Sequence, residues 1–291
     1  MIRNLSTHLS PVSSGTSPHL TELKNIKAVI FDVYGTLFIS GSGDIGTAEN
    51  ASTPEALKKS LAEAGVTPIS TRVAKRGVEL LHQNVERDHK NAHDKDIQYP
   101  EVDIREIWRK TLNHLREDGM IGIDIENISI ERLATAYECR VNPVWPMPWL
   151  EITLQNLAHA DYALGIISNA QFFTPLLFPA LLKNTLAELG FSRQLLTWSW
   201  QLREAKPSTR LFEITKIKLQ EKDIKPEETL YVGNDMLNDI YPAQKAGYKT
   251  ALFAGDNRSL RLREDDPRCK NIKPDAIITD LAQISRVLSD V

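Results

Sequence analysis

Asp32 stands directly after the apolar run Ala28-Val29-Ile30-Phe31 and opens the polar segment Asp32-Val33-Tyr34-Gly35-Thr36. Three more polar clusters follow short apolar runs in the same way. Ser168 and Asn169 come after Ala163-Leu164-Gly165-Ile166-Ile167, Lys206-Pro207 lies shortly after Leu195 to Trp200, and Gly233-Asn234-Asp235-Met236-Leu237-Asn238-Asp239 follows Leu230-Tyr231-Val232. These are carboxylates, a hydroxyl, amides and a lysine, groups able to attack an electrophile or hold a charged ligand. Each also has an ordinary reading. An aspartate at a strand end is commonly a turn or cap residue, and Asn234, Asp235 and Asn238 are what a helix N-terminus rich in cap formers contains. Their shared position singles them out, since a parallel sheet presents ligands to the carboxyl ends of its strands.

The elements that must position them follow from periodicity. Ala28 to Phe31 is short, apolar and β-branched, as a strand buried on both faces must be. Runs of the same kind are Tyr162 to Ile167, Leu195 to Trp198, Thr229 to Val232, Thr250 to Phe253 and Ala276 to Ile278, with helical patterns between most of them. Strands alternating with helices predict βαβ units and a parallel sheet. Between Ser40 and Trp145 the strand-like runs vanish and helical signals follow one another. Ser52-Thr53-Pro54-Glu55 supplies a cap, a first-turn proline and an acid for a helix ending near Gly65, with Leu57 and Leu61 on one face. Helical spacing recurs near 70–90, 101–117 and 129–140, the second of these through Ile104, Ile107, Trp108 and Leu115. The expected fold class is α/β: a doubly wound, Rossmann-like parallel-sheet core from about residues 25–40 and 146–291, interrupted by an α-helical insertion over 41–145. Gly41-Ser42-Gly43-Asp44 and Pro143-Val144-Trp145-Pro146-Met147-Pro148 are its expected hinges.

A chain of 291 residues has room for one large α/β domain and a smaller one. With 35 Lys and Arg against 38 Asp and Glu, nothing in the balance attracts nucleic acid or an anionic membrane. Cys139 and Cys269 stand far apart without a CxxC, which argues against a disulfide framework or a cysteine zinc site and suits a reducing, cytoplasmic setting. Residues 1–24 are rich in Ser, Thr and Pro, hold no run long enough for a signal segment or membrane span, and are expected to form a flexible tail. The stretch from Arg258 to Lys270 mixes both charge signs and reads as a solvated loop. Trp145, Trp149, Trp198 and Trp200 read as filling for the core or the domain junction, and Phe172 and Phe173 as packing residues.

Taken together, the four polar clusters resemble, in order, spacing and strand context, the four-motif signature of the haloacid dehalogenase-like (HAD) superfamily. The resemblance covers nearly the whole chain from about residue 25, and the inserted helices fall where many members carry a cap domain. It implies a hydrolase with Asp32 as nucleophile and a divalent metal, Mg²⁺, beside it. Asp32, Asp235 and Asp239 would repel one another unless a hard cation sat among them, and oxygen donors suit Mg²⁺. The backbone carbonyl of Tyr34 would complete the metal shell. Attack on a phosphoryl group would give an aspartyl-phosphate that water hydrolyses. Ser168 would hydrogen-bond a phosphoryl oxygen, Lys206 would neutralise that group and the nucleophile, Thr36 and Asn169 would position these groups, and Tyr34 would face the substrate. Both Asn234 and Asp235 match the family's first-acid position; Asp235 is favoured because asparagine is a neutral, weaker ligand. The substrate implied is a small phosphorylated metabolite, and oligomeric state is not legible.

One departure matters. In HAD phosphatases the residue two after the nucleophile is usually a second Asp that protonates the leaving alkoxide; here it is Tyr34. A tyrosine with a pKa near 10 is a poor substitute at neutral pH. The Asp-x-Tyr-Gly-Thr form looks like that of the 2-haloacid dehalogenases, where halide leaves without a proton and without a metal. Three features stand against that reading. The fourth cluster keeps acids that would repel a carboxylate substrate, Phe212 stands six residues after Lys206 where dehalogenases tend to carry tyrosine, and no arginine falls about thirty residues after Asp32. If a phosphatase, the chain must take its missing acid from elsewhere, one source being His82, Glu86, His89 and His93, which share a helical face opposite Val73, Leu81 and Val85. The same four residues also fit a solvated stripe. A third reading is a non-catalytic HAD-fold binding module, against which stands the retention of Asp32, Asp235, Asp239 and Lys206, because buried like charges are costly without a use.

Overall fold

Short β-branched runs that are apolar at every position can be buried on both faces, and here they form the centre of the molecule. A computed structural model describes residues 1–42, 53–67, 69–122 and 124–288. In chain order the elements are α1 (Ile2–Leu5), β1 (Ala28–Phe31), β2 (Phe38–Ser40), α2 (Thr53–Glu63), α3 (Thr71–His93), α4 (Ile104–Glu117) and α5 (Ile130–Val141). They continue with β3 (Val144–Pro146), α6 (Leu150–His159), β4 (Ala163–Ser168), α7 (Thr174–Leu182), β5 (Phe191–Trp198), α8 (Ser199–Leu202) and α9 (Arg210–Gln220). The last are β6 (Thr229–Gly233), α10 (Tyr241–Lys245), β7 (Lys249–Phe253), β8 (Ala276–Ile278) and α11 (Ile284–Val287). Every strand read from the sequence is present.

Six strands form one sheet in the order β5-β4-β1-β6-β7-β8, and each neighbouring pair is parallel. Alternation of side chains sends Val29 and Phe31 into a core with α6, α7 and α11, while Ala28 and Ile30 pack on the other face with Leu211, Phe212 and Leu219 of α9. β1 lies between β4 and β6, so the direction of winding reverses at its carboxyl end, and the residue placed there is Asp32. The fold is thus an α/β, Rossmann-like doubly wound core.

Residues 1–24 are docked, contrary to the expectation of a flexible tail. Ile2 and Leu23 are buried in the main core, and His19 pairs antiparallel with Ile277, its N–H and carbonyl each bonded at 2.8 Å. The tail gives the exposed edge of β8 a partner, and edges are what local composition cannot reveal. It also reaches the loop after β7, where Val12 N–H donates to Asp256 (3.1 Å) and Arg258 donates to the Ser10 carbonyl (2.5 Å).

The insertion builds its own apolar cluster, including Leu57 and Leu61 of α2, Leu80 and Leu81 of α3, Trp108 and Leu112 of α4, and Leu133 of α5. Ser70, Asp103 and Ser129 cap α3, α4 and α5 through backbone N–H groups, which sets where those helices begin. The expected cap Ser52 and the hinge residues Gly43 and Asp44 lie outside the described residues. The strand just before the expected entry hinge pairs with the expected exit hinge: β2 and β3 run antiparallel, Ile39 opposite Trp145, and Gly41 N–H donates to the Pro143 carbonyl (2.8 Å). Two three-residue strands, one ending in proline, leave no run for a sequence pattern to show. Of the tryptophans expected to fill space, Trp149 is 59% exposed, while Trp198 is buried.

Asn142 ties the hinge together, accepting from the Ser40 hydroxyl (2.9 Å) and donating to Glu138 (3.2 Å). Burial pushes the Glu138 carboxyl up to about 7. A carboxyl that holds its proton more tightly when folded makes stability fall as pH rises from its unfolded value, roughly 4.3, to its folded one. Glu138→Gln is therefore expected to flatten the decline in urea-unfolding free energy between pH 4.5 and 7; an unchanged slope would contradict this burial.

Candidate active site

The turn after β1 is closed by the Val33 carbonyl, which accepts from Leu37 and Phe38 N–H at 2.9 Å each. Gly35 sits in this turn at φ +81°, and a Cβ there would meet Ser259 Cβ at 2.5 Å and Asn234 Nδ2 at 2.8 Å, so only glycine lets the loops after β1, β6 and β7 meet. Asp32 is 6% exposed. Lys206, from the loop after α8, is 5% exposed and places Nζ at 2.7 Å from Asp32 Oδ1 and 2.5 Å from Asp239 Oδ1. Asn169 fixes that lysine by its backbone, accepting from Lys206 N–H (2.7 Å) and donating to its carbonyl (3.2 Å).

Tyr231, which the sequence reading treated only as part of a strand, completes the group. Its hydroxyl lies 3.2 Å from Lys206 Nζ, 2.9 Å from Asp239 Oδ1 and 2.9 Å from the Ile167 carbonyl. Burial alone would lower the lysine pKa, but Asp239 and Asp32 outweigh it and hold the ammonium charged above its usual range. Burial pushes Asp239 the other way, upward from the ordinary carboxylate range.

A cavity of about 250 Å³ opens onto this group. Asp32, Tyr34, Asn169, Lys206, Asn234, Asp235 and Asp239 are on its wall. Ser168, expected to bond the substrate, and Thr36, expected to position the site groups, are fully buried and not on that wall. The Ser168 hydroxyl donates to the Asn169 carbonyl (3.3 Å), and Thr36 donates to Asn234 Oδ1 (3.0 Å), so both brace the loops. Tyr34 lines the cavity, yet its hydroxyl pairs with Thr174 at 2.9 Å, and burial first, then Glu138, raises its pKa well above normal. It is neither an acid nor a base there.

The expected metal cage is not assembled. Asp235 caps the π-helical turn Met236–Ile240, accepting from Leu237 and Asn238 N–H at 2.8 and 3.1 Å, and Arg263 clasps it at 2.6 Å. Asp239 is taken by Lys206, by Tyr231 and, through Oδ2, by Asp235 N–H at 2.9 Å. Among the described residues no group of three His, Cys, Asp or Glu is disposed to hold a metal ion. A donor set whose lone pairs already serve cationic and N–H donors does not fit resident Mg²⁺.

The loop read as solvated is a wall of the site. Arg263 neutralises Asp235, Ser259 accepts from Asn234 (2.6 Å), and Arg261 lines the cavity. Arg261 pairs by backbone with Asn234 and Met236 and donates to the carbonyls of Arg258 and Leu260; no carboxylate among the described residues pairs with it. Mixed charge along a segment hides such a role, since partners distant in sequence decide which cations remain unpaired. From the insertion, His89 and Glu101 reach the cavity, whereas His82, Glu86 and His93 are exposed, as the solvated-stripe reading has them.

Removing one partner of a buried ion pair costs roughly 3–5 kcal/mol because the other charge is stranded. Lys206→Met should lower unfolding free energy by about that amount. Asp32→Asn leaves Lys206 matched one-to-one with Asp239 and should cost under about 1 kcal/mol. Equal losses in denaturant titrations of the two variants would contradict the geometry.

A family model described as haloacid dehalogenase-like hydrolase matches residues 78–253, from α3 of the insertion through β7. Asp32 precedes the matched span. No curated protein sequence matches the chain. Among solved structures, a 2-haloacid dehalogenase from Pseudomonas syringae pv. Tomato DC3000 superposes with TM-score 0.56 at 23% identity, covering 90% of this chain and 97% of that one. A HAD phosphatase from Thermococcus onnurineus gives TM-score 0.50 at 18% identity, with 90% and 97% covered. At such identities the likeness speaks for the fold. The matched span exceeds half of the chain, and with four strand-end clusters gathered at one switch point the chain belongs to the haloacid dehalogenase-like hydrolases.

Proposed function

We propose that the chain is a metal-independent hydrolase in which Asp32 displaces a leaving group from carbon in a small carboxylate substrate, with a 2-halocarboxylate as the substrate class. The observation that supports this most is the pairing of Asp32 with Lys206 at 2.7 Å on the wall of a small cavity that offers neither a metal cage nor an acid at Tyr34. Halide departs without a proton, so an acid is not required for the first step. Asp32 Oδ attacks the substituted carbon, the carbon–halogen bond breaks with its electron pair leaving as halide, and an ester joins Asp32 to the substrate.

Three objections to this reading weaken in the folded chain. The acids of the fourth cluster are matched, Asp235 by Arg263 and Asp239 by Lys206. Phe212 is fully buried against Tyr231, and it is Tyr231 that brings a hydroxyl to Lys206. Arg261 stands on the cavity wall as a cation for the substrate carboxylate, although no arginine falls at the expected sequence distance. In this reading the insertion acts as a cap that excludes bulk water.

Mg²⁺-dependent hydrolysis of a small phosphorylated metabolite is the second reading. One observation favours it: four carboxylates, Asp32, Glu101, Asp235 and Asp239, share the cavity wall with only Lys206 and Arg261 as cations on it. It requires Asp235 to be released from Arg263.

One experiment separates the two. Chloride release from 2-chloropropionate in EDTA, abolished in Asp32→Asn, is the expected result, with Arg261→Ala raising KM about tenfold or more as one charge-assisted contact is lost. Phosphate release from an aryl phosphate that needs Mg²⁺, without halide release, would replace this reading with the second.

A further inference from the structure

Between Ser10 and His19 no residue of the N-terminal segment is buried, and Val12 is 48% exposed. Apolar burial does not hold this stretch in place, so its hydrogen bonds must. At residues 10–14 those that leave the segment go to one loop. Val12 N–H donates to Asp256 Oδ1 (3.1 Å), and the Val12 carbonyl accepts from Asn257 N–H (2.8 Å). The Ser14 hydroxyl donates to the Ala254 carbonyl (2.6 Å), and the Ser10 carbonyl accepts from Arg258 (2.5 Å).

What the segment grips leads to the cavity. Asp256 is 1% exposed, and its carboxylate accepts from Val12 together with the backbone N–H (3.2 Å) and Nε (3.1 Å) of Arg258. The Asp256 carbonyl accepts from Ser259 N–H (3.1 Å) and Leu260 N–H (3.0 Å), which curls residues 256–260 into a tight turn. Two carbonyls of that turn, those of Arg258 and Leu260, receive Nη1 of Arg261 at 2.8 and 3.0 Å. Arg261 is on the cavity wall, and with Nη1 engaged its Nε and Nη2 edge has no partner among the described residues. That edge is a planar fork able to meet both oxygens of a carboxylate.

We infer that residues 10–14 are a positioning element of the substrate site: by clamping Asp256 and Arg258 they set the turn whose carbonyls fix the Arg261 guanidinium, so docking of the segment strengthens binding of a carboxylate substrate. The inference rests on the reading of Arg261 as the partner of the substrate carboxylate. Among the described residues no hydrogen bond joins the clamp to Asp32 or Lys206, so its loss falls on KM rather than on kcat. Whatever affinity the docked segment adds for a ligand, the ligand returns to docking of the segment.

The test uses the full chain in two measurements. Val12→Pro removes the donor to Asp256, and Arg258→Ala removes the bond to Ser10. Each is expected to raise KM for 2-chloropropionate about three- to tenfold, with kcat changed by less than about twofold. In an Arg261→Ala background neither change should raise KM further, because both act through the same contact. In the wild-type chain, saturating propionate should slow amide hydrogen exchange at Val12 and Asn257 as well as at Arg261, a readout that needs no variant to fold. Unchanged KM in both folded variants, an equal rise in the Arg261→Ala background, or protection at Arg261 without protection at Val12 and Asn257 would overturn the role of the segment and leave the carboxylate reading standing. No halide release together with no protection at Arg261 would overturn the carboxylate reading itself, and this inference with it.

Discussion

A lysine ammonium with almost no exposure to water has to be matched by negative charge, and the matching here determines much else. Lys206 sits between Asp32 and Asp239, one strand end on each side of it. Taking three charges out of water is expensive, and such a group persists only where hydrogen bonds satisfy what the charges leave over. Asn169 holds the backbone of Lys206, Tyr231 donates into the group, and Asp235 N–H holds the second oxygen of Asp239. Two acids share one lysine, and burial pushes Asp239 upward from the ordinary carboxylate range. Both acids lie on the cavity wall, and Lys206 reaches each of them through one oxygen.

The same arrangement limits where a cation can bind. Acids at strand ends in a sequence suggest an ion among them, because without one they repel. In the folded chain two cationic side chains already do that work, Lys206 on Asp32 and Asp239, and Arg263 on Asp235. Arg263 comes from the loop after β7, twenty-eight residues beyond its partner, and that loop is in turn fixed by the tail through Asp256 and Arg258. The charge pairing around Asp235 is therefore connected to the docked tail at the start of the chain.

What the sequence made legible was the part governed by short-range pattern. Apolar β-branched runs located every strand of the main sheet, because a parallel strand covered on both faces has little choice of composition. Asp32, Asn169, Lys206 and Asp239 meet because each follows such a run. Illegible were the features set by partners far away: the docked tail, the β2–β3 pair, the place of Arg261 on the cavity wall with no carboxylate partner among the described residues, and the hydroxyl of Tyr231 aimed at Lys206. Ser168 shows the converse, since the position is right at the end of β4 but side chains alternate, and this one is fully buried and off the cavity wall.

The insertion and the lysine loop are linked by the backbone pairing of residues 99–101 with 203–205. Lys206 directly follows this bridge, and Gln171 adds to it by donating to the Val102 carbonyl (2.9 Å) while accepting from Ile104 N–H (3.0 Å). Arg203 adds a bond to Glu106 at 2.6 Å. An insertion that swung away would have to break these contacts and would pull on the chain immediately before the lysine. With these contacts made, Lys206 lies 2.7 Å from Asp32, and His89 and Glu101 are part of the cavity wall. One short bridge therefore ties the inserted helices to the loop that places Lys206 against Asp32.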